Sequence, residues 1–296
     1  MSQIHLMALR HSAFYSPFLM TMAGGYLRDE GLDPTYAQET PGCSVVESLR
    51  DGSCHVAQSA VATSFAALER CEPIDIVHFA QINERDGFFI AGREAEPDFK
   101  WSMLKGRKVL VDHFFQPMAM LRYGLHREGL SLEDLEVVDA GDVTAIEQAF
   151  RSGEADYVHM QGPAPQQLEH EGLGHVVASV GDAVGPVAFS SLCAKREWLD
   201  TEMAEAFTRA YQKARAHVLS ASAEEIASLE QEYGFFPEIE PTVLARTIED
   251  YKKLGCWTPR IEITQVAYEN LLDVFAFSGG ITKRHLYESC VVQPPV

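Results

Sequence analysis

Strand-sized apolar runs alternate with helix-sized amphipathic stretches from Ile4 to Ala194, and near Lys105-Gly106 the alternation begins again. No other feature of the 296-residue chain limits its fold as tightly. Parallel strands cannot be joined by tight hairpins. Each needs a crossover, and helix-length segments between strands supply it. The first set predicts strands over Ile4–Leu9, Pro34–Gln38, His55–Val61, Ile74–Gln81 and Phe88–Ala91, with helices over Ser16–Glu30, Ser44–Arg50 and Thr63–Glu69. The second set predicts strands over Arg107–Asp112, Leu135–Asp139, Ala155–His159, His175–Val180 and Val187–Ala194, with helices over Pro117–Glu128, Val143–Arg151 and Pro165–Glu171. Beyond Trp198 only helices are expected: Thr201–Leu219, Ala223–Tyr233, Pro241–Leu254 and Thr264–Phe277. The pattern predicts an α/β protein of two lobes with a helical C-terminal tail packed on their outside. Residues 1–92 and 188–296 are assigned to lobe one and 93–187 to lobe two. Two crossovers, near Ile90–Glu96 and Val184–Ser190, are expected to form the hinge.

The net charge of −19 argues against nucleic acid and anionic membrane surfaces as partners. No apolar run is long enough to insert into a membrane. Met1–Arg10 runs straight into a strand and lacks the segments of a secretory leader, so the chain as it stands reads as cytoplasmic, or as periplasmic if a leader has been removed. The six cysteines form no CxxC pair and fit reduced, largely buried thiols. No GxSxG, Walker or GxGxxG motif is present. His11, His113 and His159 fall in strand-end loops, but too few further ligands accompany them to define a metal site. No catalytic residue, metal or cofactor is therefore assigned.

In doubly wound sheets, ligands sit beyond the carboxyl ends of the strands. That rule selects five segments here. Arg10, His11, Ser12, Phe14 and Tyr15 follow the first strand and mix a cation, a titratable ring, a hydroxyl and two aromatics. Gln58 and Ser59 follow the third, and Asn83 lies at the first lobe crossover. Phe114, Phe115 and Gln116 precede Pro117 at a helix start, where adjacent aromatics could stack on a flat ligand. Gln161 and Gly162 follow a strand of the second lobe. These thirteen residues are the candidate ligand contacts.

Several segments also resemble a known family. Tyr15–Leu19 followed by Gly25–Asp33 resembles its opening loop, helix and "GYF-x-x-EGLDV" turn. Leu49–Gln58 resembles its "L-x-x-G-x-x-D-V-A" step, Leu104–Val109 its "L-K-G-K-K-V" start of the second lobe, and Phe150–Asp156 a second "G-x-V-D-A" step. Ala204–Ala214 resembles its "F-x-x-A-x-x-K-A" helix. The family is the nitrate/sulfonate/taurine type of ABC-transporter solute-binding proteins, whose fold is shared by pyrimidine-precursor binding proteins and the yeast-type pyrimidine synthase. The resemblance implies a periplasmic-binding-protein-like type II fold. It further implies capture of a small organic or anionic ligand in the interlobe cleft, with an ABC permease as partner. The synthase's cysteine-rich stretch is represented by Gly185–Cys193, which holds one cysteine. Two alternatives stay open on the same scaffold: a cytosolic biosynthetic enzyme, such as a synthase of the thiamine pyrimidine, and a ligand sensor.

Overall fold

The computed structural model describes all residues, Met1–Val296. The chain forms β1 (Ser2–Ala8), α1 (Ser16–Ala23), α2 (Tyr26–Asp29), β2 (Leu32–Gln38), α3 (Val45–Asp51), β3 (Val56–Ser59), α4 (Phe65–Glu69), β4 (Ile76–Asn83) and β5 (Phe88–Gly92). There follow β6 (Lys108–Val111), α5 (Phe115–Arg127), β7 (Glu136–Val138), α6 (Val143–Arg151), β8 (Tyr157–Gln161), α7 (Ala164–His170), β9 (His175–Ser179), α8 (Val180–Val184) and β10 (Ser190–Lys195). The tail is α9 (Glu202–Ser220), α10 (Ala223–Glu232), α11 (Pro241–Leu254) and α12 (Gln265–Phe277). The expected first helix is broken at Gly25, whose left-handed backbone separates α1 from α2.

Two five-stranded sheets result, ordered β2-β1-β3-β10-β4 and β7-β6-β8-β5-β9. In each, parallel strands are joined through helices, and one antiparallel strand is inserted after a crossover. The insertion corrects one sequence-based boundary. β5, assigned from sequence to the first lobe, pairs antiparallel with β8 and β9 in the second sheet. The crossover therefore lies at Glu84–Gly87, not at Ile90–Glu96. All five residues of β5 are buried, and a strand covered on both faces has no polar alternation to mark its sheet. The renewed pattern at Lys105 marks the first parallel unit after the crossing.

The two crossovers are zipped together: Val187 N–H donates to Glu84 O at 2.8 Å and Phe189 N–H to Asn83 O at 3.1 Å. Asn83 serves this joint and not the ligand side. Its Nδ2 donates to Ser190 Oγ, and its Oδ1 accepts from Trp257 Nε1. Behind the joint lies Arg215 of α9, fully buried. Its guanidinium donates to the carbonyls of Gln81, Ile82 and Thr258. The tail helices return across both lobes, with α9 on α1, α11 against α7 and α12 against α5.

Arg215→Met should destabilise the protein by about 3 kcal/mol, because buried carbonyls at the end of β4 lose their donor; chemical denaturation measures it. A second expectation concerns Glu230 on α10. It is fully buried, neither carboxyl oxygen has a hydrogen-bond partner, and burial pushes its carboxyl up to about 8. Between the ordinary value and pH 8 the folded chain holds a proton that the unfolded chain has released, so this group lowers stability as pH rises through that window. Glu230→Gln should raise the melting temperature at pH 8–9 and change it little at pH 5.

A candidate ligand cleft between the lobes

The carboxyl ends of β1 and β2 in one sheet and of β6, β7 and β8 in the other face a common cleft of about 700 Å³. Arg10, His11 and Ser12 reach it from the first lobe. Asp112, His113, Phe114, the Gly141–Glu147 segment and His159–Ala164 reach it from the second. A small recess of about 40 Å³ opens deeper, lined by Tyr15, Gln58, Phe88, Gln116, Phe189 and Ser190, among others. Arg10, Phe114 and Gln161 line both spaces and so divide them.

Direct bonds already span the lobes. Arg10 Nη1 meets Asp112 Oδ2 at 3.0 Å, and the same guanidinium lies 4.5 Å above the Phe114 ring. Asp112 Oδ1 accepts from the Phe114 N–H at the start of α5, which fixes the carboxylate for the pair. Arg10 is held from its own side by Gln58, whose Oε1 accepts its backbone N–H. Ser12 Oγ donates to Gly162 O at 2.8 Å, and Gln116 Nε2 to Phe189 O at 2.7 Å. His11 stacks on Phe236 and shares a hydrogen bond with Tyr36 Oη at 2.8 Å, and burial holds its ring below the ordinary histidine value. His159 is stacked on Phe88 at 4.8 Å, and burial pushes its ring down to about 4. Asp86 in the crossover is fully buried, with Oδ1 accepting from Phe88 N–H, and burial raises its carboxyl.

Nine of the thirteen sequence candidates line these two spaces: Arg10, His11, Ser12, Tyr15, Gln58, Phe114, Gln116, Gln161 and Gly162. Four lie elsewhere. Phe14 is core, packed against Tyr15, Phe189 and Tyr251. Ser59 faces Thr63 on the first lobe, and Asn83 belongs to the hinge. Phe115 turns outward onto Phe275, 49% exposed. Phe114 is the extended residue before α5 and Phe115 its first helical one, and the two side chains leave the chain in different directions, Phe114 into the cleft and Phe115 onto Phe275. The reading from sequence omitted Asp112, His113 and His159 as contacts, together with Gln38 and the Gly141–Glu147 segment. The strand-end rule would have found that segment, since it follows β7.

No three His, Cys, Asp or Glu side chains are grouped to hold a metal ion. Cys193 is buried in β10 beside Cys54, and burial raises both thiols, which disfavours the reactive thiolate.

Two α/β lobes enclosing a cleft at their strand ends define a periplasmic-binding-protein-like fold. Residues 13–224 match the sequence profile described as "NMT1/THI5 like", and the chain belongs to that family. It is 28% identical over 295 residues to the "Putative binding protein YtlA" of Bacillus subtilis (strain 168), covering 98% of this chain and 88% of that one. Its fold is similar to that of the alkanesulfonate-binding protein SsuA from Xanthomonas axonopodis pv. citri bound to MOPS: TM-score 0.73, 16% identity, 99% of each chain covered. It is also similar to the periplasmic nitrate-binding protein NrtA from Synechocystis PCC 6803: TM-score 0.64, 15% identity, 83% of this chain and 70% of that one covered.

Phe114 is 47% exposed and Val109 fully buried, which separates wall from core. Val109→Ala should cost roughly 2 kcal/mol of stability through the cavity it leaves. Phe114→Ala should cost clearly less in stability, yet weaken ligand binding by about 1–2 kcal/mol through the lost ring face. Melting and calorimetric titration of both variants check the contrast.

Proposed function

We propose that this protein captures a small organic molecule in the interlobe cleft and presents it to an ABC-type permease for uptake, without chemistry. The observation that carries the reading is the convergence of strand-end loops from both sheets on one cleft. A ligand there touches both lobes and favours their closed arrangement. The sulfonate-binding and nitrate-binding proteins of similar fold support the importer role. That role puts capture on the outer side of the membrane. No helix of the protein is long and apolar enough to cross it.

The electrostatics favour an uncharged or cationic ring over an oxyanion. Arg10 is the one Lys or Arg lining the cleft, and it is engaged by Asp112, while Asp112, Asp142 and Glu147 supply carboxylates. The aromatic rings of Tyr15, Phe88, Phe114 and Phe189 suit a flat heterocycle of the pyrimidine class.

A thermal-shift screen over pyrimidines, sulfonates, taurine, nitrate and carboxylates tests this. A ligand at a hundredfold excess over its Kd adds about 2.7 kcal/mol of stability. A pyrimidine-class ring should give the largest upward shift. A flat response across the set would sink the reading for these ligand classes, and a shift with nitrate or sulfonates alone would overturn the preference for a ring.

A further inference from the structure

Polar atoms buried without partners are rare in folded proteins, and here several gather at one place. Both ring nitrogens of His159, Oε1 of Gln116 and Nε2 of Gln161 have no hydrogen-bond partner. Each belongs to a residue lining the cleft or its recess. His159 is the most severe case. It is 0% exposed, so it has given up its water, and nothing in the protein replaces it. Its ring plane is set by Phe88, stacked at 4.8 Å and 28°. An imidazole so placed carries one donor and one acceptor.

The charged groups that act on His159 are Asp112 and Arg10, with His113 beside them. Those first two form the cross-lobe ion pair, and the Arg10 guanidinium lies 4.5 Å from the centre of the Phe114 ring.

We propose that His159 is the specificity-determining residue of this cleft, its imidazole meeting the polar edge of the bound ring. The inference rests on the reading that the cleft takes an organic ring. A site with buried donors and acceptors discriminates by what a wrong ligand leaves unpaired. A ring that offers no complementary edge leaves His159, Gln116 and Gln161 as they stand in the empty cleft.

Uracil and cytosine serve as probes, by calorimetric titration and melting of the full chain. His159→Phe keeps the ring stacked on Phe88 and removes the two unpartnered nitrogens. It should weaken binding of the better probe by about tenfold or more, with a melting temperature equal to or above that of the unaltered protein. Weaker binding together with a large fall in melting temperature makes His159 a structural residue and overturns the inference. Unchanged binding overturns it too, while leaving the proposed function intact. If neither probe binds the unaltered protein but another ring compound of the screen does, this inference fails alone. If nothing binds, both fail.

Discussion

Arg215 is the interaction on which the two-lobed arrangement depends. A fully buried guanidinium is costly unless every donor is used. Here its donors close on the carbonyls of Gln81, Ile82 and Thr258 and on the Tyr211 hydroxyl. Gln81 and Ile82 are among the last residues of β4 before the backbone leaves the first sheet. Tyr211 donates to the Gln81 carbonyl as well, and Gln81 N–H reaches Ile261 O. The end of β4 is thus fixed from the C-terminal tail, and the crossing chain starts from an immobile point. Because β10 pairs with β4 and the crossovers bond each other, the returning segment is fixed by the same anchor.

The cleft inherits its form from that joint. Near the hinge the lobes approach so closely that side chains are excluded. A Cβ on Gly162 would lie 2.7 Å from Tyr251 Oη and 2.8 Å from Thr247 Cγ2, and one on Gly87 would lie 2.5 Å from the Phe14 ring. Tyr251 on α11 spans this gap, donating toward the carbonyls of Gly87 and Gly162. The tail helix thereby closes the back of the cleft, and the front remains free to hold solute. Phe14 supplies the apolar packing beneath, which is why it is absent from the ligand surface despite its place in a strand-end loop.

Fold class was legible in the sequence because it rests on periodicity. The helix termini at Gly52, Gly129 and Gly255 could be read from single residues, since each turns where a side chain disfavours the left-handed backbone. The sheet that holds β5 could not be read. Five consecutively buried residues look the same whichever sheet receives them, and pairing partners lie tens of residues away at β8 and β9. The site was legible to the level of loops. Strand-end position singled out Arg10, Ser12, Gln58, Phe114, Gln116 and Gln161, all of which line the cleft or its recess. Which residue of a loop faces inward depends on rotation of the adjoining element, and that separated Phe114 from Phe115. The ion pair of Arg10 with Asp112 was beyond reach, because it joins residues brought together only when two sheets meet.

Polar atoms left unpaired bear on function where they line the cleft. At the hinge, the Asn83 side chain and the Arg215 donors are paired within the protein, whereas Gln81 Oε1 and Asp86 Oδ2 are not. Across the cleft wall His159, Gln116 and Gln161 are desolvated and incompletely paired. A core selected for stability alone would replace such groups with apolar ones of similar shape, at little loss or some gain. Their retention in a wall flanked by Phe88, Phe114 and Tyr15 makes the empty cleft the less satisfied of its two states. A ligand that pairs them gains those bonds without a matching loss of protein–water contacts, since burial has already removed the water. Those unpaired atoms are held in place by the same joint that Arg215 anchors, which is why anchor and cleft belong to one design.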